Sequence, residues 1–174
     1  NVNHHTFRFS QRASAEGLIT IDDPLSILRC SNKVYLAERL SRHNILTPKT
    51  VILNSDNIDS LYEELEFPCI LKQPDSAFSH GVIKVSNREE YLSEIKKLFE
   101  KSDLILAQEF MPTEFDWRVG IIDNEPLFVC KYFMANKHWQ IFNWEKSEKK
   151  EREGKIETLM PELAPRNVVS TAKK

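Results

Sequence analysis

The run Phe67-Pro68-Cys69-Ile70-Leu71-Lys72 limits what this chain can fold into more than any other stretch. Apolar residues behind a proline read as a buried strand, and this one closes on a lysine. An ammonium group taken out of water needs a partner or shifts its pKa, so a lysine in that place is unusual. Further on, Leu104-Ile105-Leu106-Ala107-Gln108-Glu109-Phe110-Met111 reads as a second strand, ending in a polar pair followed at once by two large apolar residues. Together the two runs suggest a cleft for a polyanion and a flat heterocycle, a description that ATP fits.

Composition removes several alternatives. A chain of 174 residues can be one ordinary domain with a real core. Its formal charge of −2 gives no general pull toward nucleic acid or an anionic membrane, so any anion site is local. No apolar run approaches the roughly 20 residues of a membrane span, and no signal-peptide pattern opens the chain. Cys30, Cys69 and Cys130 are odd in number, far apart and set among apolar residues. They read as buried, reduced thiols of a cytoplasmic protein, and no Cys-x-x-Cys or Cys/His pairing supports zinc. His4 and His5, near a terminus, read as solvated residues rather than ligands. With four glycines there is neither Gly-x-Gly-x-x-Gly nor a Walker A sequence, so bound phosphates need another cradle.

The order of predicted elements is mixed α and β. Residues 1–29 read as a leading segment or the tail of a preceding domain, with a short strand over 17–21 and a turn at Asp22-Asp23-Pro24. Ser31 is the expected N-cap of a helix through Val34, Leu36, Ala37 and Leu40, which Asn44 ends. A strand over 49–53 follows, then a helix capped by Ser55 or Asp56 through Ile58, Leu61 and Leu65. Strands over 69–72 and 82–85 come next. Ser86 and Glu89 form a capping-box pattern before Tyr91, Ile95, Leu98 and Phe99, and 104–108 is the following strand. A hairpin is expected from 117–122 and 127–133 about Asp123-Asn124-Glu125, with a third strand over 138–144. The charge-mixed run 145–157 reads as a solvated or mobile loop, and 161–174 begins another helix. With no capping glycine or closing strand after it, the sequence looks cut from a longer one.

This order, with these residues in it, resembles the ATP-grasp superfamily, specifically its RimK-type and glutathione-synthetase-like carboxylate–amine ligases. Four phrases carry the resemblance from about Asn32 to Lys174. They are Asn32-Lys33 before Ile45-Leu46-Thr47-Pro48-Lys49-Thr50, the strand Phe67–Lys72, the hinge Gln108-Glu109-Phe110-Met111, and Asp116-Trp117-Arg118-Val119. The fold it implies is α+β, two subdomains each with a mainly antiparallel sheet and helices, gripping ATP between them. Residues 30–107 would form the lid-like subdomain, and 108–174 the start of the second, incomplete one.

The resemblance implies a role for each motif residue. Lys72 and Lys33 would offset phosphate charge. Gln108, Glu109, Phe110 and Met111 would frame adenine, largely through backbone groups. Asp116 would accept from the ribose hydroxyls, and Arg118, the catalytic candidate, would meet the γ-phosphate or the substrate carboxylate. Lys131 and Asn143 are further candidates for phosphate or substrate contact. Plainer readings stand beside these: Lys33 as a surface lysine, Lys72 as an edge lysine reaching water, Phe110 as core, and Asp116–Arg118 as a pair sharing one strand face.

Two departures stand out. The loop Asp75-Ser76-Ala77-Phe78-Ser79-His80-Gly81 has one glycine where the family has several, and the phrase from Lys131 to Gln140 is unlike the more familiar members. The family's Mg²⁺ ligands, an acidic residue and a Glu-x-Asn pair, would lie beyond Lys174, so no metal ligand is assigned and this chain alone is expected to be inactive. The implied reaction activates a carboxylate as an acyl phosphate, at the expense of ATP, for attack by an amine. The implied partners are small-molecule or peptide carboxylates and amines, with no nucleic acid or membrane, and a homo-oligomer is compatible. The alternatives are a non-catalytic ATP-grasp nucleotide-binding or interaction module, and an unrelated α+β scaffold.

Overall fold

The computed structural model describes residues 2–174, apart from the side chains of residues 2–4 and 149–150. Contacts divide the chain into two compact units, Asn1–Phe110 and Met111–Lys174. The first holds α1 (Val2–Ala15), α2 (Pro24–Ser31), α3 (Lys33–Arg42), β1 (Thr50–Leu53), α4 (Ser60–Glu64), β2 (Cys69–Lys72), β3 (Val82–Val85), α5 (Arg88–Phe99) and β4 (Ile105–Glu109). The second holds β5 (Phe115–Ile122), β6 (Glu125–Phe133), α6 (Lys149–Arg152), β7 (Ile156–Leu159), a 3₁₀ turn (Pro161–Leu163) and α7 (Arg166–Ala172).

In the first unit the strands run in the order β1-β4-β2-β3, antiparallel throughout. Side chains alternate across a strand, so the register sorts them into two faces. One face sends Leu53, Cys69, Leu71, Val85, Ile105 and Ala107 into an apolar core with Leu61 and Leu65, and with Tyr91, Ile95 and Leu98 of α5. The buried Tyr91 hydroxyl donates to the Ile58 carbonyl at 2.7 Å, which satisfies its polar end. Pairing places Thr50, Gln108, Ile70 and Lys84 in one row of the opposite face, and Ile52, Leu106, Lys72 and Val82 in the next.

The second unit is a three-stranded antiparallel sheet, β5-β6-β7. Asp123 and Asn124 form the two-residue turn of its hairpin, both with positive φ (50° and 61°), as a type I′ turn requires.

Several expectations are corrected. Residues 17–21 are not a strand. Gly17, at φ 81°, ends α1: its N–H meets the Ser14 carbonyl and that of Leu18 meets Ala13, a glycine C-cap. Asp23 then caps α2, its carboxylate accepting from the backbone of Leu25 and Ser26, where only a turn was expected. Asn32, not Ser31, caps α3, because Ser31 is already the last residue of α2. Asn54 and Asn57 turn the chain through their own carboxamides, which delays α4 to Ser60. Asn87 and Glu90, one residue beyond the expected pair, make the cap of α5: Asn87 accepts from the Glu90 N–H, and Glu90 from the Ser86 N–H. Residues 138–144 form a loop with a single bridge, Phe142 to Glu153, and the third strand is Ile156–Leu159, which begins in the last two residues of the run read as solvated. Pro165 splits the expected terminal helix, since the extended Ala164 before it cannot continue one. Cys30 is exposed, whereas Cys69 and Cys130 are buried.

Candidate functional site

Lys72 stands at the end of β2, on the face turned away from the core. Its Nζ donates to Gln108 Oε1 at 2.5 Å, and Gln108 Nε2 donates to Thr50 Oγ1 at 2.8 Å. Three strands therefore contribute to one polar relay on a sheet whose other side is apolar. The relay answers the question the sequence raised, because the ammonium has a carbonyl partner. The arrangement leaves a cation aimed by a carboxamide, and such a group meets an oxyanion strongly.

Lys33 begins α3. Its Nζ donates to the carbonyl of Ser76 and, at 3.0 Å, to Ser76 Oγ, while its own N–H donates to the Pro74 carbonyl at 3.0 Å. Asn32 caps the helix with its oxygen and reaches Asp75 with its Nδ2 at 3.0 Å. The helix start is thus tied to the loop that leaves Lys72. Burial pulls the Lys33 pKa below the ordinary lysine value, and the Asp75 charge opposes that shift. At the far end of the loop, Gly81 at φ 63° returns its carbonyl to the Gln73 N–H at 3.0 Å. Phe78 and Ser79 also have positive φ, a conformation that costs non-glycine residues about 1 kcal/mol or more, so the scarcity of glycine here is met by strain.

Beyond Gln108, Glu109 is engaged with Lys49. Its carboxylate accepts the Lys49 N–H at 2.8 Å, and its N–H donates to the Lys49 carbonyl at 2.9 Å. The Phe110 ring lies under Lys84, with Nζ 3.8 Å from the ring centroid. Met111 opens the second unit and is 57% exposed.

In the second unit Asp116 pairs with Tyr132 and Arg118 with Cys130, so both acid and guanidinium lie on one face of the sheet. The Arg118 guanidinium sits 4.2 Å over the Tyr132 ring, and Asp116 accepts from the Thr113 hydroxyl at 3.4 Å. Lys131 pairs with Trp117, which puts it on the opposite face, with Nζ 4.9 Å from the Phe115 ring centroid and 5.3 Å from that of Trp117. Asn143 is 7% exposed and works within its own loop. Its Oδ1 accepts from the Glu145 N–H at 3.1 Å, and its N–H donates to the Arg152 carbonyl at 2.8 Å. The sheet brings Asp116 and Arg118 together and separates both from Lys131.

Thr50, Ser76 and Lys84 were not singled out as site residues from sequence. Thr50 stood inside the Pro48-Lys49-Thr50 phrase, and the alternation Val82-Ile83-Lys84-Val85 already placed Lys84 opposite the core side. Ser76 stood inside the one-glycine loop 75–81, whose serine hydroxyls were candidates to replace the missing glycines. The side chain of His4 lies outside the described residues. Among the described residues no three His, Cys, Asp or Glu side chains gather where a metal could bind. No described helix is long and apolar enough to cross a membrane.

The family described as D-ala D-ala ligase C-terminus matches residues 40–174. The chain belongs to this family. Curated relatives are named as ligases and synthetases. The α-aminoadipate–LysW ligase LysX of Saccharolobus solfataricus is 30% identical over 63% of the chain and 42% of its own length. The D-alanine–D-alanine ligase of Geobacter sulfurreducens is 22% identical over 91% of the chain and 50% of its own length. The fold matches solved ATP-grasp structures. D-alanine–D-alanine ligase from Bacillus anthracis, complexed with ATP, superposes with a TM-score of 0.64 at 21% identity, over 94% of the chain and 53% of that structure. A RimK domain ATP-grasp protein from Sphaerobacter thermophilus gives 0.62 at 14% identity, over 73% of the chain and 50% of that structure. The chain spans about half or less of the length of these proteins.

Proposed function

We propose that this chain is the ATP-binding portion of an ATP-dependent carboxylate–amine ligase, which joins a small-molecule or peptide carboxylate to an amine in the cytoplasm. The observation that carries the reading is the Lys72–Gln108–Thr50 relay on the face of the first sheet turned away from its core. It supplies a held cation for phosphate and an amide edge for a base within one hydrogen-bonded set. Lys33, carried beside the phosphate loop by Ser76, is the second cation. Asp116 would take the ribose hydroxyls, and Arg118 the γ-phosphate or the substrate carboxylate, since a planar fork of donors suits either oxyanion. Lys131, on the sheet face opposite Asp116 and Arg118, cannot join them at one phosphate and is given no role, while Asn143 would make a supporting contact to phosphate or substrate. Residues 30–107 would act as the lid-like part and 108–174 as the start of the second part, with 1–29 as an entry segment or the tail of a preceding domain.

The chemistry asked of these groups is positioning and charge offset. A carboxylate resists an amine until a phosphoryl group makes one of its oxygens a good leaving group, and no nucleophilic side chain is needed for that. Mg²⁺ is expected in such a reaction, but the described side chains offer it no ligand set, so no step is assigned to it. The test has two parts. Millimolar ATP or ADP should raise the melting temperature of the full-length protein, and absence of any rise removes the nucleotide reading. Phosphate release should then require both a carboxylate and an amine from pooled candidates. Release that ignores the amine would count against ligation.

A further inference from the structure

We infer that Lys84 is a positioning residue for the nucleobase, acting through the ring of Phe110. The inference rests on the nucleotide reading above and deepens it, because it separates the part of the site that reads the base from the part that holds phosphate. Lys84 pairs with Ile70, and Ile70 with Gln108, so all three belong to the row, on the face turned away from the core, that ends in Thr50. From there the Lys84 ammonium reaches the Phe110 ring at 3.8 Å from its centroid, well inside the range of a cation–π contact. Phe110 is the first residue past the end of β4, so ladder pairing that fixes Gln108 and Glu109 does not fix it. Its ring plane has to be set by side-chain contacts, and the Lys84 contact crosses β2 to do so. A ring held in plane two residues from the Gln108 carboxamide forms one wall for a flat heteroaromatic group, with an amide at its edge.

Phosphate is handled in the neighbouring row, where Lys72 pairs with Leu106 and Val82. Removing the Lys84 charge should therefore loosen the base and leave phosphate binding intact. A merely basic surface residue would do the reverse, weakening every anion alike.

The experiment uses the full-length protein, with ATP and inorganic tripolyphosphate as the two probes, titrated by calorimetry. Lys84→Met is expected to weaken ATP by about two- to fivefold, with tripolyphosphate affinity and melting temperature unchanged. Lys84→Arg should restore ATP binding. In a Phe110→Leu background, Lys84→Met should have no further effect, the mark of a residue acting through the ring. Equal loss for both probes, no loss for ATP, or a loss that persists without Phe110 would each overturn the inference. If the wild-type protein binds ATP no more tightly than tripolyphosphate, the nucleotide reading itself falls and this inference with it, an outcome visible before any variant is made.

Discussion

Lys72 is aimed by a carboxamide on a sheet backed by a closed apolar core, whereas Arg118 and Lys131 lie over aromatic rings on strands with little buried material behind them. The difference follows from how many layers each unit has. In Asn1–Phe110, α4 and α5 cover one face of the sheet, so its strands cannot tilt without opening the core, and a side chain on the other face inherits that rigidity. In Met111–Lys174 the buried apolar residues among those described are few: Val129, Cys130, Ala135, Ile141 and Ala164. There charged groups are steadied by rings, a weaker and less directional restraint than a charged hydrogen bond. The first unit holds its lysine by a hydrogen bond over a packed core, and the second holds its charged groups against rings.

The largest break in that contrast should come from the core behind Lys72. Leu71 is fully buried, and Leu71→Ala is expected to cost about 3 kcal/mol in urea unfolding, while Arg118→Ala costs well under 1. Equal costs would mean that the two units are not differently supported. A second test uses pH. Burial raises the Cys69 thiol from 9.0 to about 11. A raised folded-state pKa gives stability that is whole below pH 9 and is lost as pH climbs through about 11, to a limit of about 2.7 kcal/mol. Urea unfolding at several alkaline pH values should show Cys69→Val losing less of its stability than the wild type over that window. Tyr91, also raised by burial, leaves a residual slope of the same sign in both proteins.

In the second unit a Cβ at Gly154 would sit 1.8 Å from the Phe133 carbonyl oxygen. Gly154→Ala is expected to lose about 2 kcal/mol and to open the 134–155 loop to protease while residues 1–110 stay protected. Cleavage spread over both units would mean that the substitution does not act on this loop alone. Lys72→Met should weaken ATP binding about tenfold or more, with melting unchanged within a few degrees. Unchanged ATP affinity in that variant would strip Lys72 of its role. The smallest effect is expected from Asn32→Ala, which removes the cap of α3 and the hold on Asp75, for about 1 kcal/mol of stability.

Strands were legible wherever an apolar run was short and bounded, as at Cys69–Lys72 and Val82–Val85, since a buried strand needs apolar residues whatever its neighbours are. The caps of α3 and α5 were legible only to within a residue, and the start of α4 was displaced from Asp56 to Ser60. Ser31 and Asn32, or Glu89 and Glu90, differ little as cap residues, and the choice falls to whichever backbone is already extended. The aromatic run His138–Trp144 read as a strand by propensity, but its backbone groups close turns instead: Ala135 N–H meets the Gln140 carbonyl, and Asn143 turns back to Glu145 and Arg152. Of the site, the motif lysines and Gln108 were visible as chemistry before they were visible as geometry.

By itself the amino-acid sequence determined which residues could carry charge into an apolar sheet, because a lysine closing a buried run must find a partner. It also carries neither a Gly-x-Gly-x-x-Gly nor a Walker A phrase. Only the tertiary structure decided the partners. Gln108 and Thr50 meet Lys72 because strand register joins residues far apart in the chain, and Lys84 meets Phe110 across an intervening strand. Lys131 was set apart from Asp116 and Arg118 by the same rule, since one residue of register moves a side chain through the sheet. Local composition fixes what a residue can do, and pairing between strands fixes what it can reach.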